Sequence, residues 1–340
     1  MKRPYFPPEW LITAVNTLEQ ATIKQVAVFL GKNDDHIRQK LRLGAKPPDG
    51  TRPFFKVFTP LTRLKQVRGS MPLVYGLSKR SRDYLDDQEI LVFARHNDAS
   101  RVAKPHVLAT AELLVLAKRF ERETEWISYL DYHTEARLFA EPLGVLVPPG
   151  VTYKLAPDLW LSFEGYPFGE YVFCVEVNLT KVMDAKWRRK VEAYLNCMKA
   201  YKSKFLTEKI KVLIIVATRD NFPQSVGGIK PEEKAERTLQ AKERAKRMRK
   251  LIRATEKELE ANHDEYKAGM FLFTDFPLDE VTPHELFLSP IWHTPFSDEV
   301  VPAMIRDPRR LKKRYVSEDP TYDPIEEAKK EKRKMEEEKE

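Results

Sequence analysis

Two apolar runs, separated by a single amphipathic helix, set the architecture of most of this chain. Residues Tyr171 to Leu179 read YVFCVEVNL and Ile210 to Ala217 read IKVLIIVA, with little alternation of polar and apolar positions. A strand that is apolar on both faces is covered on both, so it belongs inside a sheet flanked by helices. Between the runs, from Asp184, residues Trp187, Val191, Tyr194, Leu195 and Met198 make one buried helical stripe, while Lys186, Arg188, Arg189, Lys190 and Lys199 fill the other faces. Upstream, Glu125–Leu130, Leu143–Val147 and Ala156–Phe163 are strand-like, with His133–Phe139 between the first two. Downstream, a helix is predicted from about Pro231 to Ala261 and a last strand from Met270 to Phe276. The order β-β-β-helix-β-helix-β is that of an α/β sandwich around a mixed sheet.

This accounts for the middle of a 340-residue chain, and at about 150 residues per domain a second domain is expected. With 42% hydrophobic and 32% charged residues the composition is globular and excludes a disordered chain. No apolar stretch reaches the length of about 18 residues that a membrane span needs, and the prolines of MKRPYFPPEW break any signal-peptide core. Cys174 and Cys197 are the only cysteines, which excludes a disulfide framework and a four-cysteine zinc site and points to a reducing, cytoplasmic setting. The net charge of +8 is unevenly spread: residues 1–120 hold 21 Lys and Arg against 11 Asp and Glu, and the remainder sums to −2. Such asymmetry predicts a polyanion-binding module joined to a second domain.

The basic third reads as a winged helix-turn-helix. Trp10, Leu11, Ala14, Val15 and Leu18 share one helical face behind Pro7 and Pro8, and Ile23, Val26, Ala27 and Leu30 share another, closed by Gly31. Asn33 can cap a third helix with Asp34 and Asp35 in its first turn. There Ile37 and Leu41 face inward and leave His36, Arg38, Gln39, Lys40 and Arg42 outward, residue types that reach phosphates and purine edges. A loop from Gly44 to Pro53 follows, then a helix through Leu61, Leu64 and Val67, and then a short strand, Pro72–Leu77. The strand runs into Lys79, Arg80 and Arg82, a basic cluster of the kind that ends a wing and lies along phosphates. Double-stranded DNA is the partner this pattern predicts, bound sequence-specifically by a homodimer.

Chemistry is carried by two carboxylates. Asp158 opens one predicted strand and Glu176 interrupts the apolar Val172, Phe173, Val175 and Val177 of the next. A carboxylate inside such a strand is unfavourable unless paired, protonated or bound to a cation. Two converging from adjacent strands suit Mg2+, whose octahedron substrate phosphate completes. Pro157-Asp158 followed by Glu176-Val177-Asn178 resembles the PD-(D/E)xK nuclease motif in its strand-strand-helix context, with Asn178 where the motif has lysine. Lys190 on the helix, or Lys181 on the loop before it, is placed to stand in, and Glu135 is a further acidic candidate.

The whole run, about residues 8–276, resembles the replication-relaxation family of plasmids and integrated mobile elements. The likeness is carried by the Tyr75–Leu85 wing sequence, a helix from near His106, the Pro-Asp strand, the Glu176-Val-Asn strand and the helix bearing Arg188-Arg-Lys-Val-Glu-Ala-Tyr-Leu195. The resemblance implies a DNA-binding protein of a mobile element, nucleoid- or plasmid-associated, acting in replication, DNA relaxation or transcriptional control beside a degenerate nuclease-like domain. Two other functions stay open. One is a Mg2+-dependent endonuclease using Asp158 and Glu176 with Lys190. The other is an assembly factor docking a replication initiator or relaxase.

The remaining signals are negative or secondary. The histidines lack HxH or HxxxH spacing, and no phosphate-binding glycine loop exists. Between Lys242 and Arg253 stand seven basic residues (Lys242, Arg244, Lys246, Arg247, Arg249, Lys250, Arg253) and one acid, Glu243, which predicts either a solvated face or a second DNA-backbone contact. Glu326 to Glu340 carries seven acidic and six basic residues with no apolar face, a charged tail. The domain layout expected is therefore a winged helix-turn-helix over 1–100, a PD-(D/E)xK-like α/β domain over 101–300 and a tail over 301–340.

Overall fold

The computed structural model describes residues 5–58, 73–92, 103–140, 143–146, 152–165, 169–179, 184–200, 210–217, 231–278 and 280–302. These fall into two compact units, one of residues up to Leu116 and one of residues from Ala117. The predicted helix over Leu61, Leu64 and Val67 and the charged tail from residue 303 lie outside the described residues.

The first unit contains α1 (Glu9–Leu18), β1 (Gln20–Thr22), α2 (Ile23–Leu30), α3 (Asp34–Ala45), β2 (Phe55–Phe58), β3 (Val74–Leu77) and α4 (Lys79–Asp87). Its core forms where the predicted helical faces meet: Leu11, Ile12 and Val15 of α1, Val26 and Ala27 of α2, and Ile37 and Leu41 of α3 are fully buried. Local chemistry fixes the helix ends. Thr22 and Gln25 form a reciprocal capping box at the start of α2, and Gly31 ends it in the left-handed region at φ 63°. The Asn33 side chain accepts from Asp35 N at 2.8 Å to start α3. The three strands form an antiparallel sheet in the order β1-β3-β2, with Tyr75 of β3 opposite both Ala21 and Val57.

The unit extends past residue 100 because buried amides of the helical core find their partners there. The Asn16 amide donates to Leu91 O at 2.9 Å, and the Gln20 side chain accepts from Lys104 N at 2.7 Å. Gln25 donates to Leu108 O at 3.3 Å and to Glu112 at 2.8 Å on α5 (Pro105–Glu123). Buried amides must be paired, and these pairs hold the early turns of α5 in the first unit.

The second unit is mixed α and β around a seven-stranded sheet. Its elements are β4 (Ile127–Thr134), α6 (Glu135–Ala140), β5 (Leu143–Leu146), β6 (Thr152–Leu155), β7 (Leu159–Gly165), β8 (Gly169–Asn178), α7 (Asp184–Ala200), β9 (Lys211–Val216), α8 (Pro231–Ala261), β10 (Phe271–Thr274), α9 (Pro283–Leu288), β11 (Trp292–His293) and β12 (Val300–Val301). Strand order is β12-β11-β10-β9-β8-β7-β4. The β8-β9 and β9-β10 pairs are parallel, as strands joined by crossover helices must be, and the other pairs are antiparallel.

The apolar runs are central, covered on both faces. Val172, Cys174, Val212, Ile214 and Val216 pack against Trp187, Val191 and Tyr194 of α7 and Met248, Leu251 and Ala254 of α8. On the other face Phe163 meets Phe120 of α5 at 5.5 Å between ring centroids and Phe287 of α9 at 5.1 Å. Three details depart from the sequence expectation. The first strand takes in His133 and Thr134, because they pair with Trp160 and Leu159 of β7. The Leu143 strand pairs only with β6, in a separate hairpin packed on α7. Two short strands, β11 and β12, extend the sheet beyond the Met270–Phe276 strand.

Candidate functional site

Asp158 sits immediately before β7, and its Oδ2 accepts the Val177 N–H of β8 at 2.7 Å. Register Leu159↔Val175 therefore sets Glu176 one residue further along the neighbouring strand, facing α7. There Lys190 and Tyr194, one helical turn apart, reach its two oxygens: Lys190 Nζ donates to Oε2 and the Tyr194 hydroxyl to Oε1. Glu176 is 4% exposed and Asp158 8%. Glu135, at the start of α6, donates its N–H to Asp158 O at 3.1 Å, and its carboxylate lies within 4.8 Å of that of Asp158.

The electrostatics follow from this closure. Burial raises the Glu176 carboxyl from 4.5 to about 7, against the opposing pull of Lys190. Burial by itself would depress Lys190, but the carboxylates of Glu176, Asp158 and Glu135 outweigh it and hold the ammonium above its ordinary value. Tyr194 is pushed well above the usual phenol range, first by burial and then by Glu176. The cluster is thus a buried proton-sharing set with an ammonium at its mouth.

The residues do not fit the Mg2+ site expected from Asp158 and Glu176. Mg2+ keeps several waters and needs an open approach, whereas both oxygens of Glu176 are engaged by donors and Asp158 is tied to backbone. Lys190 acts here as the counter-ion that makes Glu176 tolerable, in place of a water-activating group. Asn178, at the motif's lysine position, is buried and accepts from Arg247 of α8 at 3.4 Å, while the same guanidinium donates to Ala217 O at 2.7 Å. Arg247 therefore ties the ends of β8 and β9 together. Lys181 lies outside the described residues.

A different character marks α3. Ile37, Leu41 and Gly44 are buried, His36, Gln39 and Arg42 are exposed, and Arg38 and Lys40 are half-buried. Arg38 pairs with Asp35 on the helix surface. Burial raises the Tyr75 phenol of β3, against the opposing pull of Arg42 and Arg38, and α3 itself packs on β2. His36 stacks on Trp10 at 6.2 Å, and Lys32 stands 4.9 Å over the same indole.

The cluster Lys79, Arg80 and Arg82 forms the start of α4 and not an extended wing. Arg80 donates to Thr51 Oγ1 at 3.0 Å and Arg52 O at 2.7 Å, and its guanidinium stacks 3.9 Å from the Phe54 ring. It braces the loop between α3 and β2. Lys79 is exposed and Arg82 half-buried. Residues 59–72, between β2 and β3, lie outside the described residues.

Of the seven basic residues on α8, two turn inward. Arg244 is buried and donates to Asp275 O at 2.9 Å, and Arg247 is taken up as described. The other five are exposed. Sequence reasoning missed Tyr194 as a partner of Glu176, although the spacing Lys190 to Tyr194 puts both on one helical face. Comparison with protein families, with curated proteins and with solved structures found no match to this chain.

Proposed function

We propose that this protein binds double-stranded DNA through α3 and belongs to the replication or control apparatus of a plasmid or mobile element, its second unit being a nuclease-like scaffold that does not cleave. The observation that carries the reading is the make-up of α3: an apolar face sunk in the core, and His36, Gln39 and Arg42 exposed on its outer side. The succession α1-β1-α2-α3-β2-β3, with β3 between β1 and β2, supports a winged helix-turn-helix. Capping of α3 by Asn33 and its bracing through Tyr5, whose hydroxyl donates to Lys40 O at 3.2 Å, supply the rigidity a reading helix needs.

Support for the nuclease-like scaffold comes from the neighbouring strands β4, β7, β8 and β9 of the sheet, with α7 joining β8 to β9, Asp158 at the head of β7 and Glu176 within β8. Support for its silence comes from the Lys190–Glu176–Tyr194 closure. Fluorescence anisotropy with a random-sequence duplex of about 30 base pairs tests the α3 reading. Gln39→Ala with Arg42→Ala is expected to weaken binding and to lower the slope of log affinity against log salt by about 0.9, the loss of one phosphate contact. Equal affinity of variant and parent removes α3 from the interface. Incubation of the parent with supercoiled plasmid and Mg2+ or Mn2+ is expected to leave it intact, and a nicked product that disappears with Glu176→Ala restores the endonuclease.

A further inference from the structure

We infer that the outer face of α8 is a second nucleic-acid-binding surface, one that holds the phosphate backbone of a duplex and stands apart from α3. Lys242, Lys246, Arg249, Lys250, Arg253 and Lys257 are all exposed. At 3.6 residues per turn their spacings of 4, 3, 1, 3 and 4 keep all six within an arc of about 100° and along about 22 Å of helix. The opposite face is occupied by Met248, Leu251, Ala254 and Leu259 in the core, so the stripe is held rigidly outward. Acids stand only at its margins: Glu243 and Glu256 flank it and Glu260 ends it.

Such an arrangement works against the helix itself. Lys242/Lys246, Lys246/Lys250, Arg249/Arg253 and Arg253/Lys257 are like-charged i,i+4 neighbours, and Lys246/Arg249 and Lys250/Arg253 are like-charged i,i+3 neighbours, each destabilising. Arg244 and Arg247 on the same helix reach carbonyls at β-strand ends and turn inward, whereas the residues of the stripe stay exposed. A row of cations suits a polyanion: duplex DNA carries one charge per about 3.4 Å of its axis on each strand, so about 22 Å of axis presents about six phosphates per strand, of which those on the near side face the row. The chain's own charged end is a poor occupant, because Glu326–Glu340 with seven acids and six bases is almost neutral. Nor does the face suit a lipid surface: α8's apolar side is buried in the core, and a single large apolar side chain of the helix, Leu239, is exposed among the described residues, too little for insertion. The row borders a hollow of about 590 Å3, to which Arg249 and Arg253 contribute beside Glu256, Asp275, His293 and Asp298.

The test is a salt titration of the intact chain on a random-sequence 30-base-pair duplex by fluorescence anisotropy. Replacing Lys242, Lys246, Arg249 and Arg253 by Gln is expected to flatten the plot of log affinity against log salt by about 3–4, at about 0.9 per phosphate released. Charge-preserving swaps at the same positions (Lys242→Arg, Lys246→Arg, Arg249→Lys, Arg253→Lys) are expected to keep the parent slope, and circular dichroism melting checks that both variants fold. An unchanged slope in the Gln variant overturns the inference. So does equal, equally stripe-dependent binding to poly-glutamate or to phosphatidylserine vesicles, which makes an acidic protein or a membrane the partner. Flattening by the stripe variant with none by Gln39→Ala/Arg42→Ala leaves this inference standing and removes α3, and the converse result removes the stripe alone.

Discussion

At the scale of single residues, the fate of Glu176 decides the character of the second unit. A carboxylate this deep is stabilised when protonated, and its folded value of about 7 lies above the ordinary 4.5. A group raised in this way adds stability that is fully present below about pH 4.5 and lost as pH rises through 7. Glu176→Gln keeps an acceptor for Tyr194 and removes the titration. In urea unfolding at a series of pH values, the parent is expected to lose on the order of 2–3 kcal/mol between pH 4.5 and 8 from this group, at about 1.4 kcal/mol per pH unit, and the variant to lack that loss. Parallel pH profiles for the two proteins show that Glu176 stays ionised in the fold. Lys190 is the second half of the argument: Lys190→Met leaves the carboxyl with Tyr194 alone and is expected to widen the same loss toward higher pH. An ammonium that merely shielded the surface would leave the profile where it was.

At the scale of elements, much was readable in advance and for a definite reason. β8, α7, β9 and α8 carry long hydrophobic periods, and burial is what makes such a period. β1, β11 and β12 have two or three residues each, too few for any period, and they exist because a neighbouring strand offers hydrogen bonds. Lys190 is legible in the sequence as the lysine that holds the buried carboxylates, and the phase of α7 delivers it to Glu176; Tyr194 is not, because it reads as an apolar residue of the stripe when its hydroxyl is what matters. Arg244 is in phase with Met248, Leu251 and Thr255, a signal masked by the sheer number of charges around it. The seating of α3 rests on Gly44, where an added Cβ would meet Phe55 Cδ2 at 2.5 Å. Gly44→Ala gains up to about 1 kcal/mol of helix propensity, but the Phe55 ring is 1% exposed and has nowhere to retreat, so overpacking of about 1–3 kcal/mol wins. The variant is expected to unfold at lower urea and to bind duplex DNA more weakly, since α3 shifts with it. A stability at or above the parent's shows that the ring yields and that α3 is not set by this contact.

At the scale of the whole molecule, the chain carries two compact units with cores of different make-up, and these titrate and pack by separate rules. The first has its buried positions filled by helices α1 to α3 and a small sheet, with exposed cations and no buried carboxylate cluster among the described residues. The second buries Glu176, Asp158 and Glu258 beneath its helices. A chain of this kind departs from a single cooperative transition, and the two substitutions above assign the transitions. Hydrogen exchange followed by mass spectrometry under increasing urea reports each region separately. Gly44→Ala is expected to bring forward exchange in peptides from α1, α2 and α3 while leaving those from β8 and β9 in place. Glu176→Gln is expected to alter only the β8, β9 and α7 peptides, and more at pH 8 than at pH 5, because ionisation of Glu176 is what the parent suffers and the variant escapes. If both substitutions move every peptide together at every pH, the chain unfolds as one body, and the first unit then inherits the pH dependence of the sheet.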